Sequence, residues 1–148
     1  MTFQDILDLF KQGKASAKSH MRNLIEIAAA DGQFATEEQR LLQYAALRNN
    51  ISEAELAKIQ ADASKVRFRV PRNEEDKFTQ LYDLVHMMTI DQQIHDEELR
   101  LCEIFAIKFG YRKEVVREMI AVIRESIKDW VGPKETMQKV MREMKVYE

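Results

Sequence analysis

The chain has 148 residues, a formal net charge of -2, and 45% apolar and 32% charged residues. These proportions suit one soluble globular domain with a real core, and they supply no global attraction to nucleic acid or anionic membrane. Four glycines and two prolines argue against a turn-rich strand fold, and the lone Cys102 excludes an internal disulfide.

The opening MTFQDILDLF carries acidic residues where a secretory signal needs positive charge. No apolar run approaches the ~20 residues that cross a bilayer. The expectation is a cytoplasmic protein without a membrane span.

Apolar spacing reads as helix through nearly the whole chain. Phe3, Ile6, Leu7 and Phe10 form a short first helix that Gly13 should end. Met21, Leu24, Ile25 and Ala28 form a second, stopping at Asp31-Gly32. Thr36 is placed to cap a third, with Gln39 completing a capping box and Leu41, Leu42, Ala45 and Ala46 inside. Ser52 and Glu55 repeat that arrangement at the start of a fourth, with Ile51 and Leu56 spaced for a hydrophobic staple.

The connector 65–73 then breaks the pattern. Its basic alternation, KVRFRVPR, suggests a brief extended stretch, and Val70 before Pro71 is biased away from helix. Lys65, Arg67, Arg69 and Arg72 around Phe68 could meet phosphate groups, although a solvated linker is the simpler reading.

Asn73 opens a fifth helix with Phe78, Leu81, Tyr82, Val85 and Met88 on one face. Asp96 should cap a sixth holding Leu101, Cys102 and Phe105, ending near Gly110. A seventh carries Val116, Met119, Ile120, Ile123, Ile127 and Trp130 on one stripe, so Trp130 is expected in the core, against Met137 and Met141. Gly132-Pro133 closes that helix and opens a last one with Met137, Val140, Met141 and Met144. The expected fold is an all-α bundle of about eight helices in one domain spanning 1–148. The methionine stripe reads as a helix docked on the core.

A repeat underlies this order. LIEIAAADGQFATEEQRLLQYAAL, from Leu24, aligns without a gap on LVHMMTIDQQIHDEELRLCEIFAI, from Leu84. Leu24/Leu84, Asp31/Asp91, Gln33/Gln93, Glu37/Glu97, Glu38/Glu98, Arg40/Arg100, Leu41/Leu101 and Ala46/Ala106 are identical pairs. The positions between them exchange apolar for apolar, so 24–60 and 84–120 read as a duplicated helix-loop-helix unit.

Each copy brings three carboxylates to a loop and the helix start after it: Asp31, Glu37 and Glu38, then Asp91, Glu97 and Glu98. Gly32, Phe34 and Glu38 match the second half of an EF-hand loop. Its earlier oxygen ligands would fall on Ile27 and Ala29, or on Met87 and Thr89, so calcium binding of that kind is excluded. A hydrated divalent metal ion shared by Asp31 and Glu38, or by Asp91 and Glu98, is the remaining metal reading, with the first loop favoured by Gly32. Ordinary capping and helix-dipole chemistry explains the same carboxylates without metal.

His86 follows Asp83 by about one turn and reads as half of a solvated pair, and His95 as a neutral loop histidine. No Cys/His set has zinc spacing, and no serine or cysteine nucleophile has a recognisable partner. No phosphate-binding glycine motif occurs.

The segments ADGQFATEEQRLL and MTIDQQIHDEELRLCEIFAIKFG resemble the TerB-like superfamily, which includes tellurite-resistance TerB proteins and the N-terminal region of DjlA-type co-chaperones. The residues carrying the resemblance are Ala30, Asp31, Gly32, Phe34, Glu37 and Glu38, with Asp91, Ile94, Glu97 and Glu98 as a second copy. It extends over residues 20–125. It implies a helical fold with duplicated halves, a stress-linked role and metal binding through the acidic residues. Gln92, standing where the first copy has Gly32, departs from the motif.

The function expected is a non-enzymatic binding or scaffold module with a protein partner. One alternative is a divalent-metal binder using Asp31, Glu37 and Glu38. A second is a metal-dependent hydrolase, weakened by the lack of a histidine ligand or a defined base.

Overall fold

The computed structural model describes residues 2–30, 36–90 and 95–148, with the side chains of 5–13 left aside. Seven α-helices occur among these residues: α1 Phe3–Ala29, α2 Thr36–Arg48, α3 Glu53–Ala61, α4 Glu74–Thr89, α5 Asp96–Lys108, α6 Lys113–Lys128 and α7 Pro133–Glu143. One 3-10 turn, Ala63–Lys65, follows α3, and no strand is present among the described residues. The all-α expectation holds. None of these helices is long and apolar enough to cross a membrane.

The expected first and second helices are one. Gly13 lies inside the 27-residue α1. A single interior glycine costs only about 1 kcal/mol relative to alanine, which a long packed helix absorbs.

Local chemistry explains most other boundaries. Ser52 caps α3: its Oγ accepts from Glu55 N at 3.1 Å, and Ser52 N donates to Glu55 Oε1 at 3.2 Å. Asn73 caps α4, its Oδ1 accepting from Asp76 N at 2.7 Å. Gly132 stands at the α7 cap with Pro133 in the first turn. Asp96 is not a cap: His95 holds that position without a side-chain cap bond, and Asp96 is the first helical residue.

Three helix ends close in the same way, with the first residue past the turn in the left-handed region. These are Asn50 (φ 57°), Gly110 (φ 99°) and Trp130 (φ 61°). In each, the next amide reaches back five residues: Ile51 N to Ala46 O, Tyr111 N to Ala106 O, and Val131 N to Ser126 O. This is the Schellman arrangement, which usually takes glycine.

Trp130 corrects the sequence reading. It is 95% exposed, not buried against Met137 and Met141. The α6 stripe of Val116, Met119, Ile120 and Ile123 is buried as expected, but α6 ends at Lys128. Helical spacing therefore no longer governs where residue 130 points.

The core forms around α1 and α4, which pack on each other. α1 also packs on α2, α3 and α5, while α4 packs on α5, α6, α2 and α7. Enclosure from so many sides buries Phe78, Leu81, Leu84, Val85, Met87 and Met88 of α4. Each such side chain contributes roughly 1.5–3 kcal/mol by leaving water. Met137, Met141 and Met144 pack partly buried against this core, as the docked-helix reading requires. Phe68 pins the connector by stacking on Phe105 and Phe109, with both centroid separations 6.0 Å.

Candidate functional site

Of the six carboxylates expected to hold a metal, Asp31 and Asp91 lie outside the described residues. Glu37 and Glu97 are exposed in the first turns of α2 and α5, while Glu38 and Glu98 are buried, 5% and 2% exposed. Adjacent helical residues diverge by about 100°, so each Glu-Glu pair divides between solvent and core. Glu97 lies 3.8 Å from Arg100 in an exposed pair, and Glu98 Oε1 lies 3.8 Å from His95 Nε2. Among the described residues no three His, Cys, Asp or Glu side chains converge as a metal-holding set.

The polar groups that do converge come from the α1–α4 interface. His20 and Asn23 of α1 and Gln80 and Asp83 of α4 are all buried. His20 Nε2 lies 2.8 Å from Asp83 Oδ2, and Arg48 of α2 donates to the same oxygen. An ionised carboxylate only accepts, so Nε2 carries the hydrogen of this bond. Burial pushes the Asp83 carboxyl up, but the His20 bond and the His20 and Arg48 charges outweigh it and hold it below the usual carboxylate range. Arg48 also lies over the Tyr44 ring at 5.3 Å, which orients the guanidinium.

His20, Arg48, Gln80 and Asp83 open onto a cavity of about 290 Å³, lined also by Ser16, Asn49 and Thr79. Ser16 Oγ accepts from Gln80 Nε2 at 3.2 Å, while His20 Nδ1 has no hydrogen-bond partner. A serine–histidine proton relay is therefore not assembled, even though Ser16, His20 and Asp83 share one cavity wall. The amide of Asn23 and Gln80 Oε1 also have no partner. Each such buried group costs about 1–3 kcal/mol.

Comparison with protein-family models, curated proteins and solved structures finds no match to this chain.

The pairing of His86 with Asp83 as a solvated couple is also corrected. Asp83 is 4% exposed and turned to His20, because α4 is enclosed and leaves no wet face at that position. His86 is half-buried, and burial lowers its pKa against the opposing pull of Asp83, with Arg48 adding to the lowering. A sequence signal for the polar cluster existed. Carried a few residues upstream of Leu24, the sixty-residue offset sets His20 on Gln80 and Asn23 on Asp83. Arg48 carried no such signal, since only the docking of α2 on α4 brings it there.

Proposed function

We propose that the chain is a non-enzymatic, TerB-like binding module of two related helical units, and that it docks a protein partner at the α6–α7 corner. The observation that carries this reading is Trp130, 95% exposed and held in left-handed backbone conformation. An indole in water loses the benefit of its large apolar surface, and a non-glycine residue in that conformation costs about 1–2 kcal/mol. Tryptophan is among the side chains that most often dominate protein interfaces. Tyr82 Oη donates to Val131 O at 2.6 Å, which fixes the corner presenting it.

The sixty-residue offset supports two related units. α2 and α5 have equal lengths and matching bounds, and α1 and α4 end at matching positions. Exchanging the units maps the α1–α5 contact onto the α4–α2 contact. The exposed pair Tyr44 and Leu47 of α2 falls on Ile104 and Ile107 of α5. On this reading the whole chain is one cytoplasmic domain, and the resemblance brings with it an expected link to stress response.

Site-specific photo-crosslinking in the native host tests the docking site. A photoreactive residue at 130 should crosslink one defined polypeptide, while the same residue at exposed Lys139 on α7 should not. Absence of a crosslink specific to position 130 would overturn the reading.

A second reading keeps a divalent cation at the acidic loops. The recurrence of the same carboxylates at both loops, Asp31, Glu37 and Glu38 and then Asp91, Glu97 and Glu98, supports it. Oxygen donors of this kind suit Mg²⁺, Ca²⁺ or Mn²⁺. A rise in melting temperature with one of these ions, lost in Asp31→Asn/Glu38→Gln, is the expected sign. No rise with any of them overturns it.

A further inference from the structure

The basic connector does not project freely. Ser19, fully buried on α1, accepts from Arg69 N at 2.8 Å and donates to Arg69 O at 3.4 Å. Arg22 Nη1 donates to Val66 O at 3.0 Å. Phe68 is stacked on Phe105 and Phe109, and its neighbours Arg67 and Arg69 line a separate groove. That groove runs along α1, α3, the 3-10 turn and the connector, and has a volume of about 540 Å³. This lies within the span of small-molecule sites, about 300–1,000 Å³.

Five cations line it: Lys18, Lys58, Lys65, Arg67 and Arg69. The two carboxylates on the same wall are already engaged. Glu55 accepts from Lys14 Nζ at 3.0 Å, and that bond together with the backbone bond from Ser52 lowers its pKa to about 2 despite the opposing effect of burial. Asp62 Oδ1 accepts from the backbone and hydroxyl of Ser64. Lys18 stands 3.9 Å from Glu55. Among the described residues, Lys58, Lys65, Arg67 and Arg69 have no carboxylate within 4.0 Å. Among the described residues, four of the five groove cations thus lack a carboxylate partner, in a chain whose net charge is negative.

We infer that this groove binds a small ligand carrying two or more closely spaced phosphate groups. A single carboxylate would neutralise only one of the cations. Clustered phosphates match several at once, with Arg67 and Arg69 offering planar forks for bidentate contact and the lysines acting as point charges. The walls are fixed by hydrogen bonds and ring stacking, which limits the ordering cost of binding. The concave shape favours a compact anion over an extended nucleic-acid strand.

Isothermal titration of the full chain with sodium tripolyphosphate at low salt tests the inference. Saturable binding is expected, weakening as salt rises because the contacts are ionic. Arg67→Gln/Arg69→Gln should weaken it roughly tenfold or more, as lost charge-assisted contacts do. Arg124→Gln/Lys128→Gln, which removes the same charge from exposed positions on α6, should leave it unchanged. Lys58→Gln, on the exposed side of α3, gives an independent loss should the connector variant fold poorly. Retention on phosphatidylcholine vesicles containing phosphatidylinositol bisphosphate, released by tripolyphosphate, would assign the phosphates to a lipid headgroup. Tripolyphosphate binding without retention would assign them to a soluble ligand. No binding of either probe would overturn the inference, as would equal weakening by the α6 and connector variants.

Discussion

His20 and Asp83 meet across the α1–α4 interface at 2.8 Å although 63 residues separate them in the chain. Both are almost wholly buried, and the bond ties α1 to α4 at the centre of the fold. Burying a carboxylate is tolerable only with strong partners, and His20 and Arg48 supply them.

Removing one partner should therefore be costly. His20→Ala is expected to lower unfolding free energy by about 3–5 kcal/mol in urea titration, the usual loss when a buried ion pair is broken. The double variant His20→Leu/Asp83→Leu should recover much of that loss, because no carboxylate then remains buried at the α1–α4 interface and the partly exposed Arg48 can turn to water. A double variant no more stable than His20→Ala would show that packing, not charge, holds this interface.

The pH dependence follows from the same cluster. Asp83 is held below its ordinary value of 3.8, so its contribution is complete above that pH and lost as pH falls through the lower folded value. Asp83→Asn should flatten the acid limb of stability below about pH 4. His86 is lowered from 6.5, so the unfolded chain binds protons before the folded one. Stability should decline as pH falls below 6.5, and His86→Gln should remove that part of the slope in urea titrations at several pH values.

Trp130 should emit as a water-exposed indole and be readily quenched by iodide. Its side chain contributes little to folding, so Trp130→Ala should change stability by less than about 0.5 kcal/mol. Trp130→Gly should stabilise by roughly 1 kcal/mol, because glycine relieves the left-handed strain at φ 61°. A large loss in the alanine variant would mean that the indole packs in solution.

Cys102 is fully buried, and burial, with Glu103 adding to it, pushes its thiol up to about 12. The thiolate is the reactive form, so Ellman's reagent should label the native chain only through unfolding. Labelling rates should rise with urea in parallel with the unfolded fraction. Rapid labelling of the native chain in buffer would contradict the burial of α5.

Much of the fold is written in local patterns. The Ser52–Glu55 capping box, the Asn73 cap, Gly132-Pro133 and the apolar spacing each act over a few residues, so the sequence displays them directly. The connector, which the sequence presents as a solvated linker, is instead tied to the fold by Ser19, Arg22 and the stacking of Phe68 on Phe105 and Phe109. Three further features were decided by tertiary structure alone. Gly13 does not end α1, because a long packed helix absorbs its small intrinsic cost. Trp130 leaves the core, because the chain exits α6 two residues before it and helical spacing no longer applies. Asp83 turns inward, because α1, α2, α5, α6 and α7 all pack on α4 and leave no solvent face at that position. His20 and Arg48 become its partners through contacts spanning 63 and 35 residues of chain. Residue periodicity determines which face of a helix is apolar, but only the assembled neighbours determine which polar groups must be enclosed and paired.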